Sequence, residues 1–205
     1  MKDIQELKGT GTNKCYSSSD ETTNTKLFVK DFTDSYAGVA AELAAYKLAK
    51  ACGLNVIETS KAVLNGREVM VQPFISDFNN MFGYKFTQEE LNKIFTFDWV
   101  IGNPDRHPNN VMVIKDKLFI IDHERAFQGT YDMRNTFVTR VDYEWSRWCK
   151  YTIYPDQEVL DLLKEAVYTS ITIEFPQLNW DQVRRRLHHT LANMDLDLLS
   201  LVVKF

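Results

Sequence analysis

The spacing of apolar and polar positions divides the chain in two. Up to about residue 75 the pattern is short and strand-like, and beyond Thr87 helical spacing dominates, broken by one hairpin. Ile4–Lys8 and Lys14–Ser18 read as strands around a small turn, Gly9–Thr10–Gly11–Thr12–Asn13. Lys26–Asp31 alternates, with Phe28 and Lys30 on one face and Leu27 and Val29 on the other. Tyr36–Cys52 is an alanine-rich helix stopped by Gly53, with Asp34 or Ser35 placed to cap its start. Val39, Leu43, Tyr46 and Lys50 share one stripe of it, and Glu42 sits among small residues. Val56–Thr59, Ala62–Leu64 and Arg67–Gln72 return to strand, and Asn65–Gly66 between the last two is a strong hairpin signal. Pro73 has no N–H for a ladder, so the sheet ends near Gln72–Pro73–Phe74.

Thr87–Glu90 is a T-x-x-E capping box. The helix it opens, through about Trp99, turns Leu91, Ile94, Phe95 and Trp99 toward a core and delivers the chain to Gly102–Asn103–Pro104–Asp105. Two apolar runs, Val111–Ile114 and Leu118–Ile121, flank the polar Lys115–Asp116–Lys117 and read as a hairpin. If Ile114 pairs with Leu118, Asn110 falls opposite Asp122, with Cβ atoms about 4.5–5.5 Å apart. Gly129–Lys150 is aromatic and charged without a clear period. Pro155–Ile173 and Trp180–Val203 read as amphipathic helices. Arg184–Arg186 are consecutive, so a helix points them in three directions on a solvated face.

An amide oxygen and a carboxylate meeting at a hairpin's open end suit Mg²⁺, which takes oxygen ligands from one or two carboxylates together with phosphates and water. Asp105 lies on the irregular backbone just before that end, in a D-x-x-x-x-N arrangement with Asn110. One acid orienting an acceptor hydroxyl, beside an Asn and an Asp holding Mg²⁺, is the layout of phosphoryl transfer. Taken singly, Asp, Asn and Gly after a helix are ordinary turn residues. The conjunction of Asn103, Asp105, Arg106, His107, Asn110 and Asp122 around a hairpin is what points to chemistry.

The run IGNPDRHPNN followed by LFIIDHERAF resembles the catalytic segment of HipA-like kinases. It is also similar to the D-R-H-x-x-N segment of phosphatidylinositol 3- and 4-kinases. Both resemblances imply a protein-kinase-like fold in which Asp105 is catalytic and Asn110 and Asp122 bind metal, while His107 either braces the loop or touches substrate. Further implied are Lys30 contacting ATP phosphates, as in the V-A-I-K strand, and Glu42 holding Lys30 in place. Glu42 suits an exposed ion pair with Lys47 or Lys50 equally well. Gly11 belongs to a nucleotide-covering loop or to a plain turn. Gln72 and Phe74 mark either the adenine-binding hinge or a simple strand end. The resemblance to HipA-like kinases also implies phosphorylation within Ser17–Ser19. One departure is Glu124, where many kinases carry a glycine two positions after the metal Asp.

Composition narrows the partners. The 205 residues are 44% hydrophobic and 13% aromatic, enough for a core. A net charge of −4 and a pI near 5.6 argue against broad nucleic-acid or membrane-surface binding. No apolar run approaches the roughly 18 residues of a membrane span, and MKDIQELKG lacks the apolar core of a signal peptide. Cys15, Cys52 and Cys149 are odd in number and far apart, which suits reduced thiols in a cytoplasm. The expected fold is α+β and bilobal: an antiparallel sheet with one helix over residues 1–75 for nucleotide, then a mostly helical catalytic lobe over 76–205. The expected activity is ATP- and Mg²⁺-dependent transfer to a protein Ser/Thr acceptor, with a regulatory protein partner. A kinase-like binding module without catalysis is the alternative, and a lipid kinase the weaker one.

Overall fold

The computed structural model describes residues 1–8, 13–32, 38–80, 84–127 and 152–198. Strands β1 (Lys2–Leu7), β2 (Lys14–Ser19), β3 (Lys26–Asp31), β4 (Ser60–Leu64) and β5 (Arg67–Pro73) form one antiparallel sheet in the order β1-β2-β3-β5-β4. Its two faces follow the period-two pattern. Val29, Val69 and Val71 are buried on one side with Tyr16, Leu27 and Leu64, while Phe28 and Met70 turn to the main core. Asn65 and Gly66 have φ of 52° and 79°, as a tight two-residue hairpin turn requires. Val56–Thr59 is not a strand of this sheet; Val56 makes only an isolated parallel bridge to Ile120.

Helix α1 (Gly38–Ala51) begins within the expected helix, and Asp34 and Ser35 lie outside the described residues. It is not one-sided. Val39, Ala40, Ala41, Glu42, Leu43, Ala44, Ala45, Leu48 and Ala49 are all buried, because small side chains let neighbours close in from several directions. Tyr46 and Lys50 of the expected stripe lie toward solvent.

Helix α2 (Gln88–Ile101) starts at the Thr87–Glu90 capping box and ends at Gly102, a left-handed C-cap with φ 68°. A short strand β6 (Asn79–Asn80) pairs with β7 (Val111–Ile114), which pairs with β8 (Lys117–Ile120). The register differs from expectation by one residue. Ile114 faces Lys117, the turn is the two residues Lys115 and Asp116, both with positive φ, and Ile121 N–H donates to the Asn110 carbonyl. Asp122 therefore sits one step beyond Asn110's partner.

The expected helix Pro155–Ile173 is broken into α3 (Gln157–Ala166), capped by Asp156, and α4 (Ile171–Glu174). Helix α5 (Trp180–Leu191) stops well short of Val203. Helices α1, α2, α3 and α5 share one hydrophobic core with β7 and β8, in which Phe95, Phe97 and Trp99 are fully buried. No helix among the described residues is long and apolar enough to cross a membrane.

Candidate active site

The end of α2 builds the site. Asp98 is fully buried and receives Arg106 Nε on Oδ2 at 2.7 Å and Nη2 on Oδ1 at 3.0 Å. Asn103, also fully buried, donates its side-chain amide to Asp98 Oδ1 and its backbone N–H to the Asp98 carbonyl. Arg106 Nη1 then donates to the carbonyls of Asn110 and Ile121. One guanidinium thus joins the loop carrying Asp105 to both strands of the hairpin. Gly102 is fitted to its place twice over. Its φ lies in the left-handed region, and a Cβ there would collide with the buried Arg186 guanidinium. Arg186 is therefore a packed residue, not part of a solvated face, while Arg184 lies over the Tyr168 ring and pairs with Asp181.

The loop aims its polar groups into a cleft of about 470 Å³. The structure brings Lys30, Glu42, Gln72, Asp105, His107, Asn110 and Asp122 to that cleft, with Cys15, Glu124 and Arg125. Asp105 takes its loop position through its N–H, which donates to Asn103 Oδ1, and its carboxylate lies 3.6 Å from Arg125 Nε. Asn110 donates its side-chain amide to the Asp105 carbonyl at 2.8 Å, so the amide oxygen is the atom it could offer a cation. His107 caps the short turn Pro108–Asn110 by accepting the Asn109 N–H on Nδ1, so bracing the loop is one role it performs.

Asp122 has φ 61°, a left-handed conformation that Asp tolerates better than most residues. That turn takes the chain off β8 and into 123–127, which is closed internally by Ala126 N–H to the His123 carbonyl and docks on the end of α2 through Phe127 N–H to the Ile101 carbonyl. The second left-handed residue is Phe127, also at positive φ, and not Glu124. The segment thus forms without a glycine at position 124.

The ion pairs differ from those expected. Lys30 Nζ lies 2.7 Å from Asp122 Oδ1 and 2.9 Å from Glu124 Oε2. Glu42 is buried with His123 Nδ1 3.6 Å from its carboxylate, and Lys47 pairs with Glu174 instead. Burial works to lower the Lys30 pKa, but Asp122, Glu42 and Glu124 together hold it above the usual lysine range. Asp122 shows the mirror image: burial raises its carboxyl, and Lys30, with His123 and Arg106 adding to it, brings the carboxyl below the usual range. Burial also pushes the Cys15 thiol up.

Beside the polar cleft lies an apolar pocket of about 320 Å³ lined by Leu7, Phe28, Ile57, Gln72, Pro73, Phe74, Ile75, Phe78, Met112 and Ile121. Phe28, Gln72 and Ile121 line both cavities. Phe74 contributes its ring, with Lys26 Nζ 4.1 Å from the ring centre; its N–H is already bonded to the Lys26 carbonyl. Gly11 lies outside the described residues. Ser17 and Ser18 are buried in β2, and the Ser18 hydroxyl donates to the Lys2 carbonyl, so modification there requires the strand to open.

Sequence reasoning missed Asp98, Arg125 and Arg186. Asp98 had one available signal, an acid in the last turn of a helix otherwise turned to the core. Among the described residues no three His, Cys, Asp or Glu side chains converge as a metal cage. Asn110 and Asp122 nonetheless fit Mg²⁺ as it is held in nucleotide sites, where phosphates and water complete the shell.

No curated protein sequence matches the chain. Among solved structures it is similar to the Helicobacter pylori proinflammatory kinase CtkA, at 14% identity and a TM-score of 0.57, covering 100% of this chain and 98% of that one. It is also similar to the Rio2 kinase of Chaetomium thermophilum, solved as an ADP/Mg²⁺-phosphoaspartate complex, at 13% identity and a TM-score of 0.52, covering 94% of this chain and 71% of that one. Both likenesses show the protein-kinase-like fold. The family model for phosphatidylinositol 3- and 4-kinase matches residues 13–169, more than half of the chain. The chain belongs to the phosphatidylinositol 3- and 4-kinase family.

Proposed function

We propose that the protein transfers the γ-phosphoryl group of ATP to a hydroxyl acceptor, using Mg²⁺. The observation that carries this reading is the convergence of Lys30, Asp105, Asn110 and Asp122 in one polar cleft adjoining an apolar pocket of a size suited to a base. We assign residues 1–75 to the nucleotide and 76–205 to catalysis. Phe28, Gln72, Phe74 and Met112 would enclose the base, and Lys30 would grip the phosphates. Asn110 and Asp122 would hold Mg²⁺, which would supply positive charge against the transferring phosphoryl group. Asp105 orients the acceptor hydroxyl and takes up its proton. The Arg125 guanidinium lies beside the Asp105 carboxylate, with Nε 3.6 Å from it.

The acceptor we favour is a protein Ser or Thr hydroxyl, in the manner of HipA-like kinases, with a separate protein presenting or regulating it in the cytoplasm. Among the described residues Cys15 and Cys52 are free thiols, which accords with a reducing compartment. A second reading is an inositol-lipid acceptor, supported by the family match. The acidic net charge and the acid-rich cleft favour the protein acceptor. The test is incubation with γ-labelled ATP and Mg²⁺ alone, with cell lysate, and with phosphoinositide vesicles. Label in protein supports the favoured reading, and label in lipid alone moves the acceptor to inositol. A wild-type protein that binds ATP but labels nothing leaves a nucleotide-binding module.

A further inference from the structure

Lys30 is the cation on the nucleotide side of the cleft, and its usefulness depends on what holds its ammonium in place. Two carboxylates touch it, Asp122 at 2.7 Å and Glu124 at 2.9 Å. Glu42 is 3% exposed and acts on the lysine through its field, while His123 lies 3.6 Å from its carboxylate. Glu42 lines the same cleft as Lys30, yet among the described residues its carboxylate forms no ion pair with that ammonium.

Glu124 is braced from two sides. Asn13 donates its side-chain amide to the same Oε2 that meets Lys30, tying the acid to the entry of β2. The backbone around it is pinned by the Ala126 and Phe127 hydrogen bonds. Of the two acids on Lys30, Asp122 is the one whose oxygens a cation on Asn110 would claim. Lys30 then retains Glu124.

Building on the phosphotransferase reading, we propose that Glu124, and not Glu42, is the positioning residue for Lys30. The role expected of a helix side chain is carried by the turn two residues beyond the metal-type Asp. The orientation of Lys30 is consequently coupled to Asn13 at the mouth of the first strand pair, rather than to any movement of α1.

The full-length protein is tested as Glu124→Gln and Glu42→Gln, each with Lys30 intact and with Lys30→Met. Without nucleotide, Lys30 labelling by an amine-reactive reagent is followed by mass spectrometry. Glu124→Gln should raise the labelling rate about fivefold, the scale of one ordinary hydrogen bond, and Glu42→Gln should change it much less. With Mg²⁺ and ATP, Glu124→Gln should slow single-turnover transfer by about 10–100-fold, the scale of a misplaced catalytic group. Its effect on ATP affinity should vanish in the Lys30→Met background, which a merely structural role would not produce.

A larger effect of Glu42→Gln in both assays overturns the proposal. So does tighter ATP binding by Glu124→Gln, which would make Glu124 a competitor of the phosphates. An undiminished Glu124→Gln effect without Lys30 overturns it as well. A wild-type protein that neither binds ATP nor transfers phosphate sinks the enzymatic reading instead, and labelling still decides what holds Lys30.

Discussion

Asp98 and Arg106 form a two-pronged ion pair with side chains 0% and 1% exposed, at 2.7 and 3.0 Å. The pair closes the loop that carries Asp105, and the remaining guanidinium nitrogen reaches both strands of the hairpin. Bidentate geometry with every prong satisfied is what makes such burial tolerable.

Removing one partner leaves the other charged and buried. Asp98→Ala should cost about 3–5 kcal/mol of stability, the range for breaking a buried pair. Urea denaturation measures it. A loss below about 1 kcal/mol, the scale of an exposed pair, would show that the loop holds without it.

Asp105 and Asp122 should fail differently. Asp122→Asn weakens Mg²⁺-dependent ATP binding together with transfer. Asp105→Asn keeps ATP affinity and lowers turnover by about 10²–10⁴-fold, because general-base and orienting interactions act mainly in the transition state. Calorimetric ATP affinity with and without Mg²⁺, beside single-turnover rates, separates them. Full activity in Asp105→Asn would remove it from the mechanism.

Lys30→Met should lower both ATP affinity and the melting temperature, because it leaves Asp122 and Glu124 facing each other without their shared cation. The direction of the pKa shifts sets the pH window. The Asp122 carboxyl is lowered by folding, so its contribution is complete above about pH 3.9, the unfolded value, and is lost as pH falls further. The Lys30 ammonium is raised, so its contribution is complete below about pH 10.4 and is lost as pH rises further. The stability gap between wild type and Lys30→Met should be widest and flat between those limits and close on either side. A gap independent of pH would contradict the ion pair.

Gly102→Ala combines a left-handed backbone with a collision. The conformational part should cost roughly 1–2 kcal/mol, and the Arg186 guanidinium adds steric strain. Adding Arg186→Ala should relieve the collision and leave the backbone cost. If the double variant is no better than the sum of the singles, the two residues do not interfere.

Local order was legible in the sequence because its causes span a few residues. The Thr87–Glu90 box, the Asn65–Gly66 turn and the alternation that turns Phe28 and Lys30 to one face all depend on backbone periods within one turn or one pleat. The D-x-x-x-x-N loop before a hairpin likewise placed Asp105, Asn110 and Asp122 in one cleft. The hairpin register was not legible. A two-residue turn at Lys115–Asp116 needs positive φ at both, and Lys carries no signal for it. Residue types showed that Lys30, Glu42, Asp122 and Glu124 are charged, but not which of them meet. Lys30 is joined to Asp122 across 92 residues and Asn13 to Glu124 across 111. The Arg186 guanidinium packs where a side chain at Gly102 would otherwise go. Such pairings depend on which surfaces hydrophobic burial presses together, and that is decided by the packing of the whole core rather than by any stretch of the chain.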